Sequence, residues 1–122
     1  MRVYQSAPEQ FKGWFEGPWN SELNISVGHA NQGVNEPHRH RTITEIYLVA
    51  AGSAVMHVAG QEFTVQRGQM VVVEAGETHT FVSSTPDYLH FVIHTPGLSG
   101  EAARADKELV NGPKTLRVSE DP

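Results

Sequence analysis

The sequence predicts an all-β fold, a barrel or sandwich of short antiparallel strands, and three observations carry that prediction. Short apolar runs follow one another from Leu23 to Ile93, cut by Gly, Asn and Pro roughly every 8–12 residues. Several runs, such as Ile46-Tyr47-Leu48-Val49, are apolar at both alternating positions, as in a sheet covered on both faces. No alternation of strands with long amphipathic helices is visible, which argues against an α/β fold.

The expected strands are Leu23–His29, Ile43–Ala50, Ala54–Val58, Glu62–Val65, Met70–Val73, Thr80–Ser83 and Tyr88–His94. Between them stand Gly33, Gly52, Gly60, Gly68 and Gly76, of which Gly52 and Gly60 read as tight turns needing positive φ. Ahead of them, residues 1–20 carry Tyr4, Phe11, Trp14, Phe15 and Trp19, while Gly13, Gly17 and Pro18 break any long helix. An irregular arm is expected there, its aromatics packed on one barrel face or against a second subunit. After residue 100, Glu101–Leu109 is compatible with a short helix, and the polar end with Gly112 and Pro113 is expected to be partly disordered. With 122 residues the chain fits one domain: a barrel core at about 21–95, the arm at 1–20 and a tail at 101–122.

Composition excludes several classes of function. Hydrophobic residues make up 39% and charged residues 19%, enough apolar material for a core. The net charge of -5 and the lack of a basic stripe speak against nucleic-acid binding. The longest apolar run, Ile46–Ala51, is far too short for a membrane span, and Met1–Ser6 has no apolar signal core, so a cytoplasmic location is expected. There is no cysteine, so any metal must sit on imidazole and carboxylate. The sequence contains no Gly-x-Ser-x-Gly elbow, phosphate-cradling glycine loop, dinucleotide fingerprint or helical His-Glu-x-x-His.

The chemistry lies in Glu36-Pro37-His38-Arg39-His40, followed by Glu45, and later in Gly76-Glu77-Thr78-His79. On a strand, residues two apart share a face, so His38 and His40 present two imidazoles side by side. Glu45 lies at an odd offset from His40, so a turn or bulge around Arg41–Thr44 must bring it to the same side. His79 stands where a turn hands over to a strand. Three neutral imidazoles and a carboxylate suit one divalent ion: Fe, Mn, Ni, Co or Zn.

These residues resemble the cupin superfamily over residues 33–83. Gly33, His38-Arg39-His40, Glu45 and Gly52 follow the first cupin motif, with its first spacer one residue short. Gly68, Gly76 and His79 follow the second, although Glu74 stands where proline is usual and Ser83 where asparagine is usual. The resemblance implies a double-stranded β-helix, or jelly-roll barrel, that holds a divalent metal with His38, His40, Glu45 and His79. It also implies dioxygenase, isomerase, decarboxylase or lyase chemistry on a small acid or sugar derivative. The alternatives are a non-catalytic binding module or sensor, and a barrel whose metal is purely structural.

Alternation assigns the remaining candidates. Tyr47 shares a face with Glu45, and Phe81 with His79, so both are expected inside, either packing in the core or lining the pocket beside the metal. Met56 lies with Ala54 and Val58 on the apolar face of its strand, a further pocket candidate. His57 is expected to face out, His29 to sit at a strand end near solvent, and Arg39 to face away from its flanking histidines. In Tyr88–His94 the set Leu89, Phe91, Ile93 is expected to form the core side. His90, on the other side with His94, is a candidate for the barrel mouth and for a proton shuttle. Strands apolar on both faces suggest a homodimer, and a small-molecule ligand is the expected partner, with neither nucleic acid nor membrane.

Overall fold

The computed structural model describes residues 1–110. Its strands are β1 (Lys12–Glu16), β2 (Ser26–Ala30), β3 (His38–His40), β4 (Thr44–Ala51), β5 (Ser53–Val58), β6 (Gln61–Gln66), β7 (Met70–Val73), β8 (His79–Ser84), β9 (Leu89–Thr95) and β10 (Lys107–Leu109). The one helix among the described residues is α1 (Gly100–Asp106). Two five-stranded antiparallel sheets result, in the orders β1-β2-β9-β4-β7 and β10-β3-β8-β5-β6. This is the jelly-roll arrangement, and its two sheets face each other across the core. No described helix is long and apolar enough to cross a membrane.

Strand alternation builds that core. Glu45, Tyr47 and Val49 point inward from β4, Ala54 and Met56 from β5, and Val65, Val73, Phe81 and Val92 close the cluster. Each large apolar side chain so buried contributes about 1.5–3 kcal/mol from removal of its surface from water. Gly52 (φ +68°) and Gly60 (φ +84°) make the expected turns in the left-handed region. Gly33 serves packing instead: a Cβ there would lie 2.0 Å from the Phe81 ring.

Several sequence expectations need correction. The arm is not wholly irregular: Lys12–Glu16 adds β1 to the edge of the first sheet, pairing Trp14 with Gly28. Glu16 then holds the preceding segment, accepting from Tyr4 Oη at 2.9 Å and pairing with Arg2. The strand expected at Leu23–His29 begins only at Ser26. The helix ends at Asp106, because Lys107–Leu109 leave it to pair with β3. Gly112 and Pro113 lie outside the described residues. In β9 the inward set is His90 and Val92, whereas Leu89, Phe91 and Ile93 lie half-buried on the outer face. The reason is that both faces of this strand are covered, so apolarity alone does not rank them. His29 is buried rather than near solvent; its ring stacks on Phe15 and its Nδ1 bonds Ser6 Oγ at 3.2 Å.

Candidate metal centre

Three strands and a turn bring four donors together. His38 and His40 project inward from β3 while Arg39 between them faces solvent and pairs with Glu108 at 2.9 Å. Across the sheet His38 is the register partner of His79, the first residue of β8, and their ring centroids are 4.3 Å apart. Glu45 approaches from the opposite sheet, since the bend at Arg41–Thr42 resets the alternation before β4 begins. One possible ligand atom from each of His38, His40, Glu45 and His79 lies within 4.8 Å of the other three. All four side chains are buried.

The tautomers are set from behind. His38 Nδ1 donates to the Glu36 carbonyl at 2.7 Å and His79 Nδ1 to the Glu77 carbonyl at 3.0 Å. Each bond leaves the Nε2 lone pair directed away from the backbone, as a metal-binding histidine needs. Burial, and then His79 nearby, push the His38 imidazole down to about 4, so it is neutral at ordinary pH. His40 turns Nε2 toward Glu45 Oε1 at 3.3 Å, with Nδ1 3.5 Å from an Asp106 carboxylate oxygen. Asp106 is in turn held by the Thr42 hydroxyl, by Thr42 N–H at 2.9 Å and by Ile43 N–H at 3.2 Å. The C-terminal strap of α1 and β10 is thereby tied to the donor cluster.

Glu45 is divided in function between its two oxygens. Oε2 accepts from Tyr47 Oη at 3.1 Å and from His94 Nε2 at 2.7 Å. Oε1 lies 2.6 Å from His79 Nε2, yet neither atom finds a hydrogen bond, and His40 Nδ1 is likewise unsatisfied. Buried groups without partners are rare in folded proteins. A shared ion at about 2.1 Å from each donor, which would set them roughly 3–4 Å apart, satisfies Oε1 and Nε2 together. Burial alone would raise the Glu45 carboxyl, but the imidazoles of His40, His79 and His94 crowded against it outweigh that and hold it well below the usual carboxylate range. Burial raises Tyr47 well above its ordinary value, so its hydroxyl stays protonated and donates. The residues present thus fit a divalent ion.

Sequence reasoning missed His94, which lies directly across from Glu45 on β9. Its signal was positional: once Glu45 faces inward, its register partner on the neighbouring strand must as well. Because Tyr47 and His94 fix the free oxygen of Glu45, Tyr47→Phe and His94→Phe should each weaken metal affinity about tenfold or more. Competition against a chromogenic chelator measures this, and unchanged affinity in both variants would contradict the positioning role.

The cluster opens on a cavity of about 550 Å³, whose wall includes His38, His40, Glu45, Tyr47, Phe81, His90 and His94. That volume suits a small organic ligand. Tyr47 and Phe81 stand edge to face, ring centroids 5.2 Å apart. Met56 is fully buried in the core and is not part of the cavity wall. Trp14 and Trp19, expected only to pack, line the cavity, and Trp14 stands 5.0 Å from the His94 ring. His57 faces out as expected and pairs with Glu62 at 2.6 Å.

His90 is buried among Tyr47, Phe81 and Tyr88, and its Nδ1 lies 2.7 Å from Tyr88 Oη. Burial pushes the imidazole down to about 4 and the Tyr88 hydroxyl up, so Tyr88 donates and His90 accepts. In the unfolded chain a histidine titrates near 6.5, so between about 6.5 and 4 the unfolded state binds the extra proton. Stability is therefore retained above that window and lost as pH falls through it, by on the order of 3 kcal/mol for this residue. His90→Gln, which keeps an acceptor for Tyr88 but cannot titrate, should reduce the pH dependence of the urea midpoint in chelator-treated protein, leaving the share that His38 contributes over the same window. Equal slopes for variant and wild type would contradict this.

Comparison with known proteins agrees with the fold. The Cupin domain family model matches residues 27–95. KdgF from Halomonas sp. is similar in structure, at 18% identity and TM-score 0.62, over 72% of this chain and 79% of that one. Pac13 from Streptomyces, described as a nucleoside dehydratase and solved with uridine, is 13% identical at TM-score 0.65, over 91% of this chain and 93% of that one. A chain from the crystal structures of the DMSP lyases RdDddP and RnDddQII is 25% identical at TM-score 0.57, over 82% of this chain and 53% of that one. No curated protein sequence matches. With the family model covering more than half of its residues, this chain belongs to the cupin family.

Proposed function

We propose that this cupin is a metal-dependent enzyme for a small polar substrate, with His38, His40, Glu45 and His79 as the protein ligands of one divalent ion. The single observation behind this reading is that three of the four clustered donors, His38, His40 and Glu45, lie on the wall of a ligand-sized cavity. Four protein donors leave an octahedral ion about two further positions, and a cavity beside them gives a substrate access. A purely structural site would be closed. A bound ion would supply Lewis-acid polarisation of a substrate oxygen, or redox chemistry with dioxygen if it is iron.

The chain's own residues supply the rest. Tyr47 and His94 hold Glu45 in place, and Tyr47 and Phe81 shape the pocket around the substrate. His90 is the proposed proton shuttle: it receives a hydrogen bond from Tyr88 at one ring nitrogen, and its neutral ring can pass a proton by accepting at one nitrogen as it gives at the other. A titratable group on the cavity wall outside the ligand set favours an enzyme over a binding module. Lyase or isomerase chemistry fits such a proton relay, and a dehydratase and lyases are among the similar folds, an analogy at the level of fold only.

The same reading takes the chain as one domain, working in the cytoplasm as a homodimer. What supports the dimer is the outer face of the first sheet, where Leu48, Met70 and Val72 are exposed beside Ile46 and Ile93. Light scattering at micromolar concentration should give a dimer mass. Elemental analysis of protein purified without added metal tests the site: about one divalent ion per chain is expected. Small hydroxy acids, diols and uronates are then screened for turnover, with dioxygen uptake followed if the ion is iron. A chain with no bound metal, or with metal that His38→Ala leaves unchanged, would overturn the reading.

A further inference from the structure

The charges around the cavity are sorted in a way the donor cluster does not explain. The chain carries a net charge of -5, yet Glu45 is the only carboxylate on the cavity wall among the described residues. Lys12, Arg104 and Lys107 all stand on it. Among the described residues, neither Lys12 nor Arg104 has an ion-pair partner, and Lys107 reaches only Glu36, 3.7 Å away and half exposed.

Lys107 is the informative one. β10 pairs with β3 so that Glu108 opposes Arg39 on the outer face, where the two form an ion pair, and Lys107 opposes His40 on the inner face. Residues directly opposite on paired strands have Cβ atoms about 4.5–5.5 Å apart. An ammonium group is therefore rooted on the cavity side of β10, beside His40. Glu36 offsets it only in part, at 3.7 Å, and among the described residues Lys12 and Arg104 have no carboxylate within ion-pairing distance. An anion in the cavity would be attracted by all three. The rest of the cavity wall includes aromatic and aliphatic side chains, among them Trp14, Phe81 and Val92.

We infer that the cavity takes a small organic anion with an apolar or aromatic body, its charged group lying against Lys107 and Arg104 and its body against Trp14 and Phe81. This deepens the proposed function by choosing an acid over a neutral sugar or nucleoside, and it depends on that reading only in taking the cavity as the ligand site. The strap of α1 and β10 then has two tasks. Asp106 accepts from Thr42 and Ile43 and so anchors the strap beside His40, and the cations on either side of it select the ligand's charge.

Calorimetric titration of the purified protein with benzoate, phenyl phosphate and the uncharged isostere benzamide tests this, with metal bound as isolated and again after stripping. Both anions should bind at least tenfold more tightly than benzamide. Lys107→Gln and Arg104→Gln should each weaken the anions about tenfold, with metal content unchanged, and Lys107→Glu should remove the preference. Added salt should weaken anion binding and leave benzamide unaffected. Equal affinity for benzamide and benzoate, no binding of any of the three, or anion affinity indifferent to all three substitutions would overturn the inference. If the protein holds no metal but the anion preference and its loss in the variants persist, the metal reading fails and this one stands. If metal loads normally and the preference is absent, only this one fails.

Discussion

His79→Ala should lower bound metal to less than about a tenth of the wild-type content after dialysis against metal-free buffer. His79 is 1% exposed, its Nδ1 is committed to the Glu77 carbonyl, and its Nε2 is left without a hydrogen bond beside Glu45 Oε1. No neighbouring donor can swing in to replace it: His38 is bound to its own carbonyl, and His94 is engaged on the other oxygen of Glu45. Four-donor sites bind zinc with about 10–16 kcal/mol in small metal-binding peptides, so one donor is worth roughly 3 kcal/mol, a hundredfold in affinity. His38→Ala should lose metal several-fold as well. Arg39→Ala and His57→Ala, on the outer faces of β3 and β5, serve as controls and should keep it. Mass spectrometry of the metal, normalised to protein, gives the comparison. Full metal content in His79→Ala would place the ion elsewhere.

Stripping the metal should lower the melting temperature by roughly 10–20 °C. A ligand that binds only the folded chain stabilises it by RT ln(1 + [L]/Kd), about 4 kcal/mol when the free ion stands at a thousand times its Kd. For a domain of this size 1 kcal/mol moves the midpoint by about 3–5 °C. Part of that binding energy arises because stripping leaves Glu45 Oε1 and His79 Nε2 buried without a partner, at about 1–3 kcal/mol for each such group. Differential scanning fluorimetry with and without a chelator checks the shift, and adding back the ion should restore it. An identical midpoint in both samples would mean that no ion stabilises this fold.

Much of this was legible in the sequence, because its strongest signals are local. Gly52 and Gly60 punctuate the strands, and the spacing His38-x-His40, Glu45 and His79 carries the cupin resemblance, so both the fold and the clustering of these four side chains could be read. The turn required between His40 and Glu45 is found at Arg41–Thr42. What could not be read depends on what covers what. In β9 both alternating sets contain apolar residues, and the more apolar one, Leu89, Phe91 and Ile93, lies outward because that face is also covered in part, with Phe15 against Phe91. His90 and His94 face inward for that reason. His29 looked like a strand-end residue, but β1 and Ser6 close over it. Asp106 gave no sign of itself, since its partners Thr42 and Ile43 lie 64 and 63 residues away along the chain. Lys107 reads as a solvated lysine until β10 is known to pair with β3.

Crystals of the protein as purified, with diffraction collected at the absorption edge of the metal identified, test the central claim most directly. One anomalous peak per chain is expected, at about 2.0–2.2 Å from nitrogens of His38, His40 and His79 and from Oε1 of Glu45, with Oε2 still bonded to Tyr47 and His94. A map with no peak among these residues, or with its peak at another site such as His57 and Glu62, would contradict it.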